Sequence, residues 1–258
     1  MKSNSTISMI VIVACIVILG FLLVAPKLMK GPPVDPDTGC TGDIPRRTVI
    51  LLDHSEQISS QTRNEIFTRA MRASTEKAIT GELISIFYAS SLSKKDLTPV
   101  FSRCKPKVDV NPLTESERVV MNNYKKKYIA HLENAITADI TGSKESPLAQ
   151  AIVDLSLIDQ LRTNTPANLI VFSDMWEYTD KFSLYNCESS RNAIASYQAS
   201  RGANTSRPKF RNVNVELNVI PREVKGVSSQ KCRDGFWAWF FGDNEGPHSS
   251  LSKLDLPG

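Results

Sequence analysis

The sequence predicts an α/β domain, a mainly parallel sheet with helices on both faces in three layers, preceded by one transmembrane helix. Three observations predict it. Residues 49–52 and 169–172 are apolar runs without alternation, as strands covered on both faces are. Segments with helical spacing lie between such runs, and strands that alternate with helices make parallel sheets. Residues 7–25 are almost uninterruptedly apolar, long enough as a helix to cross a hydrocarbon core of roughly 30 Å.

Residues 1–29 are therefore read as an amino-terminal tail and membrane anchor. The apolar stretch exceeds the ~7 to 15 residues usual in a cleaved signal peptide, and no clear small-x-small site follows it. Taken literally, the positive-inside rule weighs Lys2 against Lys27, Lys30, Arg46 and Arg47 and places the domain in the cytoplasm. Cys40, Cys104, Cys187 and Cys232 argue the other way, since an even number outside the anchor permits two disulfides in an oxidising compartment. A short tail, an anchor and an exported domain is also a common arrangement in bacterial inner membranes, and the periplasm is favoured over the cytoplasm. Four cysteines allow three pairings, and none is chosen by the sequence. No C-x-x-C spacing suggests a structural zinc site, and reduced thiols are the plain alternative.

Residues 30–45, with Gly31, Pro32, Pro33, Pro36, Gly39, Gly42 and Pro45, read as an extended tether. The domain is expected over residues 46–242 and a polar tail over 243–258. After the first strand, residues 59–80 carry a loose helical pattern stopped by Gly81. Residues 83–88 form a strand, and residues 97–101 a short edge strand that tolerates Pro99. Residues 115–136 read as a charged helix with Val119, Tyr124, Tyr128 and Leu132 inward and Lys125, Lys126 and Lys127 on a solvated face. Ser146 and Pro147 suit the N-cap and first position of a helix whose apolar residues are Leu148, Ala151, Ile152, Leu155, Ile158 and Leu161. A strand over residues 213–220 and an aromatic helix over 236–241 complete the pattern.

Composition removes some functions. The chain has 258 residues, 41% of them hydrophobic, and a formal net charge of +4 spread along its length, without the dense basic tract interleaved with aromatics that nucleic-acid binding asks for. A hydrolase triad finds no G-x-S-x-G turn, and adjacent Asp53 and His54 point to opposite sides of a continuing strand. Enzyme chemistry is not expected.

The informative points are the strand ends. The first strand runs into Asp53, with Ser55 two residues on, and the later one runs into Ser173 and Asp174. In open α/β sheets ligands gather beyond the carboxyl ends of the strands, so carboxylates and hydroxyls there make a candidate hard-cation site. Asp and Ser also cap strand-to-helix turns in ordinary structure.

In order along the chain, Asp53-His54-Ser55, Ser146-Pro147-Leu148 and Phe172-Ser173-Asp174 resemble the three metal-binding loops of the von Willebrand factor A domain, over roughly residues 46–242. The chain is similar, more narrowly, to uncharacterised membrane-anchored bacterial proteins with such a domain. The resemblance implies an adhesion-type site for Mg²⁺, or Mn²⁺, built from Asp53, Ser55, Gln57, Ser146 and Asp174, with an open position for an acidic side chain of a protein partner. Ser146 stands where that family usually has threonine. Gln57 stands where the second serine of D-x-S-x-S belongs, and its longer amide changes the geometry. Trp176, just past the aspartate loop, is either an aromatic anchor for a partner or packing beneath the loop. A membrane-tethered scaffold with a decayed, metal-independent site is the alternative function, and Gln57 is the feature that supports it.

Overall fold

The structure, a computed structural model, describes residues 13, 20, 33–53, 58–92, 97–111, 115–138, 145–162, 164–185, 187–201, 207–222 and 230–257. The chain divides into Met1–Val34 and Asp35–Gly258. In the first unit Val13 and Gly20 are helical, and the rest of the apolar segment lies outside the described residues. Among the described residues no helix is long and apolar enough to cross a membrane.

The second unit is an α/β fold around a six-stranded sheet. Its strands are β1 (Arg47–Leu52), β2 (Leu83–Tyr88), β3 (Phe101–Cys104), β4 (Ala167–Ser173), β5 (Val213–Val219) and β6 (Ser250–Asp255), in the order β3-β2-β1-β4-β5-β6. All pairings are parallel except β2 with β3. The helices are α1 (Ser60–Thr75), α2 (Glu117–Tyr124), α3 (Ala130–Thr137), α4 (Leu148–Leu155), α5 (Ser190–Arg201) and α6 (Gln230–Phe240), with one further helical turn at Ala89–Leu92.

Side chains alternate across a strand, so an apolar run must fill two cores at once. Val49, Leu51, Leu169, Val171, Val215 and Leu217 face α4, α5 and α6, where Leu148, Ile152, Tyr197, Phe236, Trp237 and Phe240 meet them. Ile50, Leu52, Ile84, Ile86, Ile170 and Phe172 face the other way, against Ile66 and Ala70 of α1 and Tyr128, Leu132 and Ile136. The expected three layers result. The aromatic helix is core, its rings packed edge to face on one another and on Tyr197, as in Trp237–Phe240 and Tyr197–Phe236.

Local chemistry sets several boundaries. Ser59 caps α1 by accepting from the Thr62 amide at 3.0 Å, and Gly81 makes the following turn at φ +79°, a left-handed value that favours glycine. Between α2 and α3 the helix widens into a π turn, Lys125–Ile129, which leaves the three lysines exposed and buries Tyr128.

Four expectations need correction. The edge strand begins at Phe101, after Pro99: proline cannot donate to the ladder, and Leu97 and Val100 stay exposed while Phe101 and Cys104 are buried. Val119 is 57% exposed, because the buried row runs through Tyr128, Leu132 and Ile136 and α2 buries no residue. The segment read as a polar tail contains β6, whose pairing with β5 extends the sheet past residue 242. The segment read as a tether is fixed from Asp35 onward. Thr38 accepts from the Cys104 amide at 2.8 Å and Cys40 is bonded to Cys104, so the outer edge of β3 is met at its Cys104 end.

Candidate functional site

The sheet reverses direction of growth between β1 and β4: β2 and β3 extend one side, β5 and β6 the other. That topological switch point is where open α/β sheets leave a crevice at the carboxyl ends of their strands. Leu52 is in register with Phe172, so the next residues, Asp53 and Ser173, stand side by side at the mouth of the crevice.

Asp53 is 6% exposed, and its Oδ2 accepts two hydroxyls, Ser173 at 2.8 Å and Ser146 at 3.3 Å. Ser173 also accepts from the Met175 amide at 2.9 Å, so one hydroxyl ties β4, the turn after it and the tip of β1. Met175 sits at φ 60°, the left-handed value that turns the chain sharply after Asp174. Ser146 arrives from the start of α4, held by backbone hydrogen bonds in both directions with Tyr178.

The sequence expectation puts Ser146 at the cap of α4 with Pro147 inside the helix. Pro147 instead occupies the cap position, without a side-chain cap, and the Ser146 hydroxyl turns to Asp53. The capping acceptor is Glu177, 1% exposed, which takes the Ala149 amide at 2.7 Å. Burial pushes Glu177 up to about 8; the Ala149 hydrogen bond and Arg201 oppose the shift, while the Asp53 charge adds to it.

Asp174 is buried too, and both of its oxygens are engaged. Oδ1 accepts the Trp176 amide at 2.9 Å, and Oδ2 pairs with the Arg222 guanidinium at 2.7 Å. Burial raises its pKa, and so does the Asp53 charge, against the pull of the Trp176 amide and Arg222. Arg222 leaves the tip of β5 two residues after Ile220, lies 5.1 Å over the Tyr185 ring, and donates to the Tyr185 hydroxyl. Tyr185 packs on Trp176 at 5.4 Å. On the far side, Arg233 of α6 donates to the Asp174 carbonyl at 3.1 Å and lies 5.3 Å over the Trp176 ring.

Of the residues expected to hold a metal, the fold brings together Asp53, Ser146 and Asp174; Ser55 and Gln57 lie outside the described residues. Trp176 is 3% exposed, packed under the loop between Tyr185 and Arg233, so the exposed-anchor reading of it is corrected. Tyr178, 48% exposed and beside Ser146, is the aromatic at the rim. Ser173, Glu177, Tyr185, Arg222 and Arg233 were not among the predicted ligands. The strand-tip rule already pointed at Ser173, and applied to β5 it would have pointed at Arg222; Glu177 and Arg233 carried no local signal.

Among the described residues, the donors do not fit a divalent ion as they stand. Asp174, one of the two carboxylates expected to carry charge to the metal, is ion-paired to a guanidinium, and among the described residues no three His, Cys, Asp or Glu side chains group to hold a metal. What the arrangement does provide is a polar cluster in which Asp53 and Glu177 are hydrogen-bonded and Asp174 is ion-paired from within.

Fold and site together define a class, an α/β domain with a strand-tip site at its switch point. No protein-family model matches the chain, and no curated protein matches it. Among solved structures it is similar to a conserved hypothetical protein, BatB, from Bacteroides thetaiotaomicron, at 10% identity over 82% of this chain and 91% of that one, with a TM-score of 0.36. The function of the crevice is inferred from the geometry of the strand tips and not from this distant likeness.

Proposed function

We propose that this protein is a membrane-tethered recognition module of von Willebrand A-like type, which presents its switch-point crevice to a protein partner and performs no bond-making step. The observation that carries the reading is the convergence on Asp53: two hydroxyls, from α4 and from β4, fix one carboxylate at the place where such sheets bind ligands. His131 and His248 are exposed, and His54 lies outside the described residues, so no histidine of the described set stands buried at the site as a general base.

Two finer readings of the site compete. One places Mg²⁺ or Mn²⁺ among Asp53, Ser55, Gln57, Ser146 and Asp174 to take an acidic group of the partner. The other is metal-independent, and the Asp174–Arg222 pair favours it. The anchor over residues 7–25 and a periplasmic domain belong to the same proposal. The pairs Cys40–Cys104 and Cys187–Cys232 support an oxidising compartment, where disulfides persist.

Affinity purification of the full chain from intact membranes, with and without a chelator, tests the proposal. A partner retained in chelator and lost in Asp53→Ala is the expected result. A partner lost in chelator selects the cation-dependent reading instead. A partner held equally by Asp53→Ala removes the crevice from recognition.

A further inference from the structure

The structure assigns to Arg222 the role of resident cation at the strand tips: its guanidinium takes the place of a divalent ion beside Asp174, so the folded crevice is complete without metal and accepts one only when Arg222 is removed. This rests on reading the crevice as the working site. Three linked features show that the guanidinium is built into place. Its side chain is 25% exposed and meets an Asp174 side chain that is 9% exposed, at 2.7 Å, closer to a buried pair than to a loose surface contact. It lies 5.1 Å over Tyr185 and donates to that hydroxyl, so ring and phenol fix its plane. Tyr185 in turn rests on Trp176, whose other neighbour is the Arg233 guanidinium, giving a continuous run of cation and aromatic contacts beneath the 173–176 turn.

Charge balance leads to the same assignment. Asp53 and Asp174 repel, and Glu177 adds a third acidic group within electrostatic reach. Buried carboxylates of this kind require a compensating cation or must neutralise. A divalent ion and a guanidinium on the same carboxylate would repel each other strongly in a crevice of low polarisability. Arg222 and a metal are therefore alternatives. A guanidinium also does what a bare ion does not, since it is part of the chain and cannot be removed by a chelator or by scarcity of metal.

The test uses the full chain and reads stability together with binding of Mn²⁺ alone, by paramagnetic resonance. Wild type should show no bound Mn²⁺ and no change of melting temperature at millimolar Mg²⁺ or Mn²⁺. Arg222→Ala should melt lower by roughly 10 °C in metal-free buffer, as expected for a broken, largely buried ion pair in a domain of this size. It should then recover in proportion to the logarithm of added metal. Recovery should vanish when Asp174→Asn is added. Arg222→Gln, which keeps most of the volume, serves where the alanine variant does not fold, and Arg222→Lys should remain metal-indifferent. Mn²⁺ bound by wild type, or an Arg222→Ala or Arg222→Gln variant that no metal stabilises, overturns the assignment. Neither outcome touches partner capture, whose dependence on Asp53 is read separately.

Discussion

Asp53 shows how much one side chain can join. Its carboxylate is the common acceptor for hydroxyls brought by β4 and by the entry to α4, and the same Ser173 hydroxyl is the acceptor for the Met175 amide. Removing Ser173 strips a buried donor from the carboxylate and an acceptor from a buried amide at once. Ser173→Ala should cost about 1–3 kcal/mol, read as a lower urea midpoint, whereas Ser146→Ala, with a 3.3 Å bond and a half-buried residue, should cost well under that. Asp53, Ser173 and Asp174 were legible in the sequence, because an apolar run that stops at a carboxylate announces a strand tip. The partners of Asp174 were not. Arg222 is 48 positions away in the chain, and only the pairing of β4 with β5 sets the two tips beside each other.

At the scale of elements, α4 begins against Glu177. A carboxylate accepting the Ala149 amide answers one of the unpaired donors of a helix start and sits at the positive end of the helix dipole. Burial nevertheless raises its pKa from 4.5 to about 8. A carboxyl whose folded pKa is raised favours the fold most below pH 4.5 and loses that contribution as pH climbs toward about 8. Replacing it with the neutral Glu177→Gln should therefore flatten the stability profile over that window. The difference between variant and wild type grows with pH, as chemical denaturation at several pH values would show. A second element-scale contact joins α5 and α6. A Cβ added at Gly235 would lie 2.7 Å from the Ser190 Cβ, so Gly235→Ala must push the helices apart, at a cost of about 1–3 kcal/mol and an unchanged denaturant slope. The pattern of apolar residues marked α4, but it gave no element over α5 and only the second half of α6. That one helix start would borrow its cap from a residue 28 positions later was not written in any local spacing.

For the whole molecule, the two edges of the sheet are closed differently. The β3 edge is met at its Cys104 end by the segment from Asp35, pinned by Cys40–Cys104, while β6 forms the other edge with all six residues exposed and Lys253 paired to Asp234 and Asp255. Each disulfide closes a long loop, with sequence separations of 64 and 45, and in the chain-entropy model constrains the unfolded state by about 4 kcal/mol. Replacing Cys40 and Cys104 together by serine should lower stability by about 2–4 kcal/mol. It should also make residues 35–45 sensitive to protease, read by the site of first cleavage. Thiol labelling of intact cells before and after reduction checks the compartment, since both pairs should label only after reduction.

The sequence by itself determined the layers: apolar runs of strand length, each long enough to fill two cores, and amphipathic helices between them leave few arrangements other than a covered parallel sheet. It also marked the tips of β1 and β4 as the place where polar groups gather. Tertiary structure alone decided which cysteines pair, that residues 250–255 join the sheet and Cys40 is tied to its β3 edge, that Trp176 is buried, and that Asp174 faces an arginine. The physical reason is range. Periodicity and capping act over a few residues and are printed in the chain, but a charge pair or disulfide is fixed by which strands become neighbours. That choice belongs to the packed core as a whole.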